Sequence, residues 1–391
     1  MKKFIFSLLA LLPISAIAQY NPETLRTPVA QPAQRIEIVL PQVCGYNLYK
    51  ADLHTHSVYS DGDVTPAFRV REAYFDGLDV IAITEHLEYR RHEGNMLKFL
   101  KGYTGNKVKK AENYNLINKQ CPKGGIQSDQ NYAVEEAVKA SKRYGILVIP
   151  GAEITREPVA IGHYNALFTK DNNTIYDPDP LQSLRNAREQ GALIQHNHPG
   201  WRRTTCAKTE FEVKAYNEGL IDGIEVANGG SLYTTVINRA FDENLFVAAN
   251  TDIHDGTAEG YRFKGQLRNM TLILAKECTL DALYEALCAK RTIAVSGGYI
   301  TAKEELLKEL FLASVECTVI STNSNGSRTF SLANKSSLPY TFKTSPNALP
   351  ITLYPMQSLT LSVAKDKTYD MTITNMFCGE NVNPVINLEV K

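Results

Sequence analysis

Between about residue 50 and residue 300, short apolar runs alternate along the chain with amphipathic stretches. The apolar runs are rich in β-branched residues and have strand-like lengths: 51–56, 78–84, 146–154, 163–168, 192–196, 223–226 and 245–249. Apolar residues recur with helical spacing between several of them, which predicts helices at 66–75, 132–144, 180–189, 233–244 and 280–290. Repeated strand–helix units predict an α/β fold with a parallel sheet, and their number favours a barrel.

The pattern changes after a predicted helix at 303–312. Residues 315–391 contain short runs with alternating apolar and polar positions, separated by turns rich in Ser, Asn, Thr and Pro. This spacing is typical of a small antiparallel, immunoglobulin-like β-sandwich. We therefore predict an extended N-terminal arm at 19–45, a barrel domain at 46–300, a linker helix at 301–314 and a sandwich at 315–391. The sandwich has no histidine, and a glycan or protein contact is the role left open for it.

The N-terminus has the pattern of a secretory signal peptide. Lys2 and Lys3 precede an apolar run at 4–18, which is shorter than the about 20 residues needed to span a bilayer. The run ends in Ala16-Ile17-Ala18, a cleavage pattern of small residues, so we predict removal after Ala18. No later segment is apolar enough to span a membrane, and the expected location is the periplasm or the medium.

Composition excludes some functions. Lys plus Arg and Asp plus Glu both total 42, and a net charge of zero argues against a dedicated nucleic-acid binder. None of the 7 cysteines stands in a CxxC pair, which disfavours a zinc–thiolate site. Cys317 and Cys378 flank most of the predicted sandwich, and in an exported protein they could equally form a disulfide or stay free.

A basic insertion at 88–131 interrupts the strand–helix rhythm. It follows a strand end, the side on which barrel enzymes build their active sites. Two interpretations stay open: a lid that attracts an anionic substrate, and a solvated surface loop. For His92, within the insertion, we favour a role other than metal binding.

Chemistry concentrates at the ends of the predicted strands. With the exception of His92, every histidine lies at or just beyond an apolar run, and two carboxylates join them: His54, His56, His86, Glu153, His163, His196, His198, Asp252 and His254. In a parallel barrel the C-terminal strand ends converge on one face, and side chains two residues apart point to the same side. A buried polar cluster of this kind is costly unless metal ions satisfy it. Imidazole and carboxylate ligands without thiolate favour Zn, Mn or Fe.

These residues stand in motifs that resemble the polymerase and histidinol phosphatase (PHP) family. The segment at 52–62, Asp-Leu-His-Thr-His-Ser-Val-Tyr-Ser-Asp-Gly, is similar to the first family motif, and 78–86 is similar to the second. Segments 151–153, 162–163, 197–200 and 251–254 match the later motifs in order. The resemblance covers about 50–297 and does not extend to the C-terminal segment.

The resemblance implies a distorted (β/α)7 TIM-like barrel that holds two or three divalent metal ions. Carried over position by position, the implied ligands are His54, His56, Asp61, His86, Glu153, His163, His198, Asp252 and His254. Glu153 would bridge metal ions, and Asp252, His254 and His198 would take part in catalysis. His196 is less secure, because the motif fixes the histidine directly before Pro199; it would face the same way as His198 and contact substrate or support a ligand.

The implied reaction is metal-assisted hydrolysis of a phosphate ester. Metal ions supply hydroxide near neutral pH and stabilise the charge that develops on phosphoryl oxygens. Arg202 and Arg203 are candidate phosphate contacts, although ordinary loop charge is the alternative. Asn228 binds substrate, orients a ligand or forms a turn. Trp201 packs under a substrate ring or, the alternative we favour, anchors its loop.

Export narrows the substrate to a small phosphorylated molecule outside the cytoplasm, such as a nucleotide, a sugar or a polyol phosphate. Two other functions stay open. Metal-rich barrels also cleave C–N bonds, as amidohydrolases do. The chain could also be a secreted binding protein with a catalytically silent barrel, although its intact ligand set argues against this.

Overall fold

The computed structural model describes residues 34–100, 102 and 128–391, and residues 35–391 form one compact unit. The strands up to residue 301 are β1 (Asn47–Asp52), β2 (Val80–Ile83), β3 (Leu147–Arg156), β4 (Gly162–Leu167), β5 (Leu193–His196), β6 (Gly223–Asn228), β7 (Ser231–Leu232), β8 (Phe246–Asn250), β9 (Met270–Ala275), β10 (Thr292–Ser296) and β11 (Tyr299–Thr301). The α-helices are α1 (Pro66–Phe75), α2 (Glu93–Phe99), α3 (Tyr132–Ser141), α4 (Pro180–Glu189), α5 (Glu210–Asn217), α6 (Ile237–Asp242), α7 (Thr257–Gly260), α8 (Leu280–Cys288) and α9 (Glu304–Ser314). Short 3-10 turns occur at Asn172–Thr174, Thr234–Val236 and Arg262–Lys264.

Local capping chemistry explains why several helices begin where the sequence predicts. The side chain of Thr65 accepts a hydrogen bond from the backbone of Phe68, and a proline starts α1. Asp179 caps α4 in the same way, again before a proline. Both helices have the predicted bounds. The predicted helix at 132–144 ends earlier, at Ser141, and that at 233–244 is a 3-10 turn followed by α6.

The large sheet is parallel in two runs rather than throughout. β1, β2 and β3 pair in parallel, as do β5, β6 and β8. β4 is antiparallel to both β3 and β5, and β9 is antiparallel to both β1 and β10. The short strands β7 and β11 are also antiparallel to their neighbours β6 and β10. The prediction of a parallel sheet is therefore wrong at β4, β7, β9 and β11. The connection between β3 and β4 is too short for the crossover helix that a parallel pair requires.

The sheet curls so that β8 returns to the neighbourhood of β9 and β10. Threonine side chains make this contact: Val247 N donates to Thr292 Oγ1 at 3.1 Å, and Ala249 N donates to Thr271 Oγ1 at 3.0 Å. Beyond the strand ends, His56 N donates to Ile253 O at 3.1 Å. The curl thus gives a barrel-like fold and brings the first and last histidine motifs together. The count of seven strand–helix units stays a prediction.

The C-terminal segment forms two small antiparallel sheets. Its strands are β12 (Val315–Thr322), β13 (Arg328–Asn334), β14 (Tyr340–Lys343), β15 (Ile351–Leu353), β16 (Ser358–Val363), β17 (Tyr369–Ile373), β18 (Met376–Phe377) and β19 (Val385–Leu388). One sheet has the order β12-β13-β16 and the other β15-β14-β17-β19. β18 departs from both and pairs in parallel with β11, so it extends the edge of the large sheet. Cys317 and Cys378 are free, so the structure does not contain the suggested disulfide.

Deletion of residues 315–391 should abolish cooperative folding of the remaining chain. The buried core runs without a break from Leu272 and Leu274 through Phe311 of α9 to Phe330 and Tyr340 of the C-terminal sheets. The truncated protein would expose this apolar surface to water. Calorimetry should show one unfolding transition for the full chain and none for the truncated one; an intact transition in the truncated protein would contradict this prediction.

Some sequence expectations fall outside the described residues. The predicted signal peptide and the first part of the arm, up to residue 33, belong to this class, as do most lysines of the basic insertion. The described end of the arm packs on the barrel, where Ile36 N donates to Phe75 O and Arg35 pairs with Asp79 at 2.7 Å. Among the described helices, none has the length and apolar character needed to cross a bilayer.

Candidate metal centre

The carboxylate of Glu153 lies at the centre of the histidine cluster. Glu153 belongs to β3, is fully buried, and has five histidines around its oxygens. The nitrogen–oxygen distances are 3.5 Å to His54, 3.4 Å to His56, 2.5 Å to His86, 3.4 Å to His163 and 3.7 Å to His198. Glu153 therefore lies between the predicted histidine ligands, and its role as a bridge between metal ions stays a prediction.

Two aspartates extend the cluster on either side. Asp252 Oδ1 lies 3.2 Å from His54 Nε2 and 3.0 Å from His56 Nε2. Asp61 Oδ1 lies 3.4 Å from His86 Nε2 and 3.2 Å from His254 Nε2. The first histidine motif, near residue 54, and the last one, near residue 254, therefore meet in one site.

Three groups of side chains have ligand atoms close enough to hold a metal ion. Their members are His56, Asp61, His86 and His254 in the first group, His54, His56 and Asp252 in the second, and His54, Glu153 and His198 in the third. Of the predicted ligands, His163 alone is in none of the three groups. Its Nδ1 nevertheless lies 3.4 Å from Glu153, and its buried Nε2 has no hydrogen-bond partner among the described residues.

The donor set fits a divalent cation. His54 donates from Nδ1 to Glu225 Oε1 at 2.9 Å, so in the neutral ring the Nε2 lone pair is free. The Nε2 atom of His54 lies 3.0 Å from His56 Nε2 and 3.2 Å from Asp252 Oδ1. The Nδ1 atom of His56 is buried without a partner in the described structure. Acceptors crowded together in this way repel one another unless a proton or a metal ion lies between them.

The charges of the cluster favour a bound proton on His54 and on His86 but not on His56. Burial lowers the pKa of His54, but the charges of Asp252, Glu225 and Glu153 outweigh burial and hold it well above the usual value. Burial also lowers the pKa of His86, but the charges of Glu153 and Asp61 outweigh burial and raise it well above the usual value. Burial and the neighbouring His86 and His254 lower the pKa of His56 to about 3. Metal ions must therefore displace protons, and metal affinity should weaken at acidic pH.

Glu225 is a functional residue that sequence reasoning missed. It is fully buried in β6, accepts from His54 Nδ1, and also accepts from His198 N at 2.7 Å. Asn250 and Asn228 donate to it at 2.9 and 2.8 Å. A carboxylate that fixes the tautomer of a metal-binding histidine is a recurrent support for metal sites. The sequence offers one indication of this role: Glu225 is a charged residue between apolar neighbours in a predicted strand, three residues before Asn228.

Glu225→Gln should reduce metal affinity by about 10- to 100-fold, the effect of losing such a supporting carboxylate. An amide can present its nitrogen to His54, which would change the ring tautomer and weaken the Nε2 ligand. Competition with a chromophoric chelator measures the affinity. Unchanged affinity in a folded variant would show that Glu225 does not orient His54.

A buried ionic clamp joins the first and last motifs. Arg69 of α1 donates from Nε to His56 O at 2.6 Å and from Nη2 to Ile253 O at 2.9 Å and His254 O at 2.6 Å. Its charge is paired with Glu72 at 2.6 Å. Beyond the ends of β1 and β8, backbone hydrogen bonds from His56 N to Ile253 O and from Asp252 N to His54 O join the same segments. Arg69 adds side-chain hydrogen bonds at this point, where the sheet closes.

His196 is turned away from the cluster, contrary to the prediction. Its Nδ1 lies 2.9 Å from the Tyr216 hydroxyl and its Nε2 lies 3.3 Å from Glu212. The prediction assumed that strand alternation continues to His198, but β5 ends at His196 and His198 has a φ of 25°. His196 therefore supports α5 rather than a metal ion or a substrate.

Glu212→Gln should destabilise the protein at neutral pH by about 2 kcal/mol, because Glu212 is hydrogen-bonded to charged and buried partners. Burial raises its pKa, but His196, the Thr209 backbone and Arg203 outweigh burial and bring it to about 2. A lowered pKa stabilises the folded state above the ordinary value of about 4.3 and stops doing so as pH falls towards 2. Urea unfolding should show the difference from wild type shrinking below pH 4; a constant difference would contradict this origin.

The cluster opens into a cleft of about 440 Å³ whose described lining includes His163, His198, Asp252 and His254. Trp201 and Arg202 also line this cleft. Arg203 does not: its guanidinium pairs with Glu212 at 2.5 Å, so it is unsuited to phosphate. Asn228 donates to Glu225 at 2.8 Å and to Asp252 at 3.4 Å, which is the ligand-orienting role among the alternatives. His92 lies 3.7 Å from Asp63 and in none of the ligand groups.

The profile of a family described as "PHP domain" matches residues 52–251. The crystal structure of a two-domain protein from Bacteroides vulgatus, described as containing a predicted PHP-like metal-dependent phosphoesterase, is 32% identical. The match covers 91% of this chain and 99% of that one, with a TM-score of 0.79. An amidohydrolase from Chromobacterium violaceum is 14% identical over 52% of this chain and 87% of that chain, with a TM-score of 0.35. A lesion-specific endonuclease from Pyrococcus furiosus is 16% identical over 66% and 59%, with a TM-score of 0.37. Among curated proteins, none matches the sequence significantly.

Proposed function

Because this chain belongs to the PHP family, we propose that it is a metal-dependent phosphoesterase acting on a small phosphorylated molecule. The observation that carries the proposal is the clustering of three candidate ligand groups around Glu153 at the floor of an open cleft. The match to the Bacteroides vulgatus protein extends over both the barrel and the C-terminal sheets, which supports a common activity.

The predicted ligands would hold two or three ions of Zn, Mn or Fe. Bound metal ions supply hydroxide near neutral pH and charge neutralisation at the phosphoryl group. Glu153 would be shared between these ions, a role supported by its two oxygens, which face different histidines. His163 would complete a group through the nitrogen that faces Glu153.

The chain's own residues would orient the reaction and move a proton. Glu225 keeps the proton of His54 on Nδ1, and Asn228 holds Asp252 in place. Asp252, His198 and His254 are the candidates for protonating the leaving oxygen. For His254, whose side chain is 35% exposed at the cleft, Nε2 could hold a metal ion or carry this proton but not both, because Nδ1 donates to the Asp252 carbonyl at 2.9 Å. Arg202 is the candidate substrate contact, because it lines the cleft and Arg203 does not.

The substrate is proposed to lie outside the cytoplasm, since the first 18 residues have the pattern of a cleavable signal peptide. Cytoplasmic roles of the family, in histidinol phosphate hydrolysis and polymerase proofreading, do not suit an exported chain. Nucleotide, sugar and polyol phosphates are the remaining classes.

The test is a panel of phosphomonoesters, phosphodiesters and amides offered to the full chain loaded with Mn or Zn. The control is His54→Ala/His56→Ala, which removes ligands from all three groups. Phosphate release by wild type alone would support the proposal. Phosphate release no faster than that of the control would refute the proposal. Cleavage of amides alone would identify a C–N hydrolase. Tight ligand binding without turnover would identify a catalytically silent barrel.

A further inference from the structure

One tryptophan stands at the wall of the cleft without serving as a ligand. Trp201 is the single tryptophan of the chain and is 36% exposed. Its ring centre lies 5.1 Å from that of His163 and 5.4 Å from that of His198. A group attached to a phosphate held at the cluster would therefore pass beside this indole.

Arg202 adds a flat cationic surface to the tryptophan. Its guanidinium carbon lies 4.3 Å from the centre of the Trp201 ring, and its side chain is 67% exposed. Its ion pair with Glu157 is long, at 4.0 Å. A guanidinium stacks on aromatic rings and on planar ligands, whereas an ammonium does not present such a plane. The two side chains together form the Trp201–Arg202 wall.

The loop that carries this wall is fixed in shape. Arg202 has a φ of 52°, a left-handed conformation that is costly for a residue with a side chain and that recurs at functional sites. A Cβ at Gly200 would lie 2.9 Å from both Cys206 Sγ and Tyr233 Cε1, so the tight packing there accepts glycine alone. The close packing at Gly200 and the left-handed backbone at Arg202 together define the shape of the loop that carries the wall.

The cleft is also larger than a phosphate group requires. Its volume of about 440 Å³ lies in the range of sites that enclose a whole small ligand. A phosphate at the metal cluster would leave room for an alcohol portion next to the wall.

We propose that the Trp201–Arg202 wall binds the leaving group, and that the substrate is a phosphate ester of an alcohol carrying a ring with a flat face. A sugar and a nucleoside share this chemistry; glycerol and other acyclic polyols lack it. The proposal rests on the proposed phosphoesterase function, because that function places the phosphate at the metal cluster. It replaces the loop-anchor role that the sequence favoured for Trp201.

Fluorescence tests the wall directly, because the emission of the protein comes from Trp201 alone among tryptophans. Metal-loaded full chain is titrated with non-hydrolysable phosphonate analogues of a hexose phosphate, a nucleoside monophosphate and glycerol phosphate. A saturable change with either ring-bearing analogue and none with the glycerol analogue is expected. The analogue that changes the fluorescence shows whether the natural leaving group is a sugar or a nucleoside. Equal changes with all three, or no change with both ring-bearing analogues, would overturn the proposal.

Kinetics separate this proposal from the proposed function. Trp201→Ala should raise KM for the ring-bearing ester by roughly 10-fold, as expected for one aromatic contact, with little effect on glycerol phosphate. Arg202→Lys should behave alike, because it keeps the charge and loses the plane. Phe263→Ala, an exposed ring outside the described lining of the cleft, is the matched control and should change neither substrate. Equal losses on both substrates, or none, would overturn the wall while leaving the phosphoesterase intact. Absence of hydrolysis of every ester would refute the function, and the titration would still decide whether rings bind.

Discussion

Glu153→Gln is expected to reduce phosphate release by about 10²- to 10³-fold, the scale associated with losing one preorganised electrostatic contact in an active site. The carboxylate lies within 3.7 Å of five histidines. The neutral amide of glutamine would bind cations poorly and turn an N–H towards some of these histidines. Burial would raise the pKa of Glu153, but the charges of His86 and His54 hold it well below the usual range, so the carboxylate is ionised at neutral pH. Metal content and phosphate release are the two measurements.

Glu212→Gln is the matched control for this variant. Glu212 is also a buried glutamate with a histidine partner, but it faces His196 and lies in none of the candidate ligand groups. It should lose stability and keep its metal and its turnover, whereas Glu153→Gln should keep its fold and lose both. If the two variants lose metal to the same extent, a general loss of structure, and not a central role of Glu153, explains the result.

Arg69→Met is expected to lower the free energy of unfolding by about 3–5 kcal/mol, the cost of breaking a buried ion pair by removing one partner. Glu72 would stay buried without its guanidinium, and the carbonyls of His56, Ile253 and His254 would each lose the hydrogen bond that Arg69 donates. Since these carbonyls belong to the ligand segments, metal affinity should fall as well. Urea unfolding and chelator competition measure the two effects.

Arg71→Met is the control, because Arg71 lies on the same helix with its guanidinium over the Phe75 ring and outside the clamp. It should change the free energy of unfolding by less than about 1 kcal/mol. If Arg69→Met lowers the free energy of unfolding no more than Arg71→Met does, the clamp does not stabilise the point where the sheet closes. Full metal affinity in a destabilised Arg69→Met would limit its role to folding.

The candidate ligands could be predicted from the sequence because their positions follow from strand periodicity and family motifs. His54, His56, Asp61, His86, Glu153, His198, Asp252 and His254 all meet in the candidate ligand groups. The strand register that placed them failed at His196, where β5 ends and the backbone turns before His198. A two-residue spacing is informative only while the strand continues.

Supporting residues could not be predicted in the same way. Arg69 lies on a helix that the sequence predicted correctly, yet its contacts with Ile253 and His254 span more than 180 positions. Glu225 sits in a strand whose local pattern is that of ordinary buried sheet. Both roles arise from the curl of the sheet, which depends on where β4 and β9 reverse direction, and the strand–helix rhythm does not record those reversals.

The measurement closest to the central claim is phosphate release by metal-stripped full chain as Mn²⁺ is added back. The cluster around Glu153 predicts no release without metal, a rise with each addition and saturation once the site is filled, with His54→Ala/His56→Ala inactive throughout. Release by the stripped protein at the rate of the loaded one, or no release at saturating metal from any phosphate ester, would contradict a metal-dependent phosphoesterase.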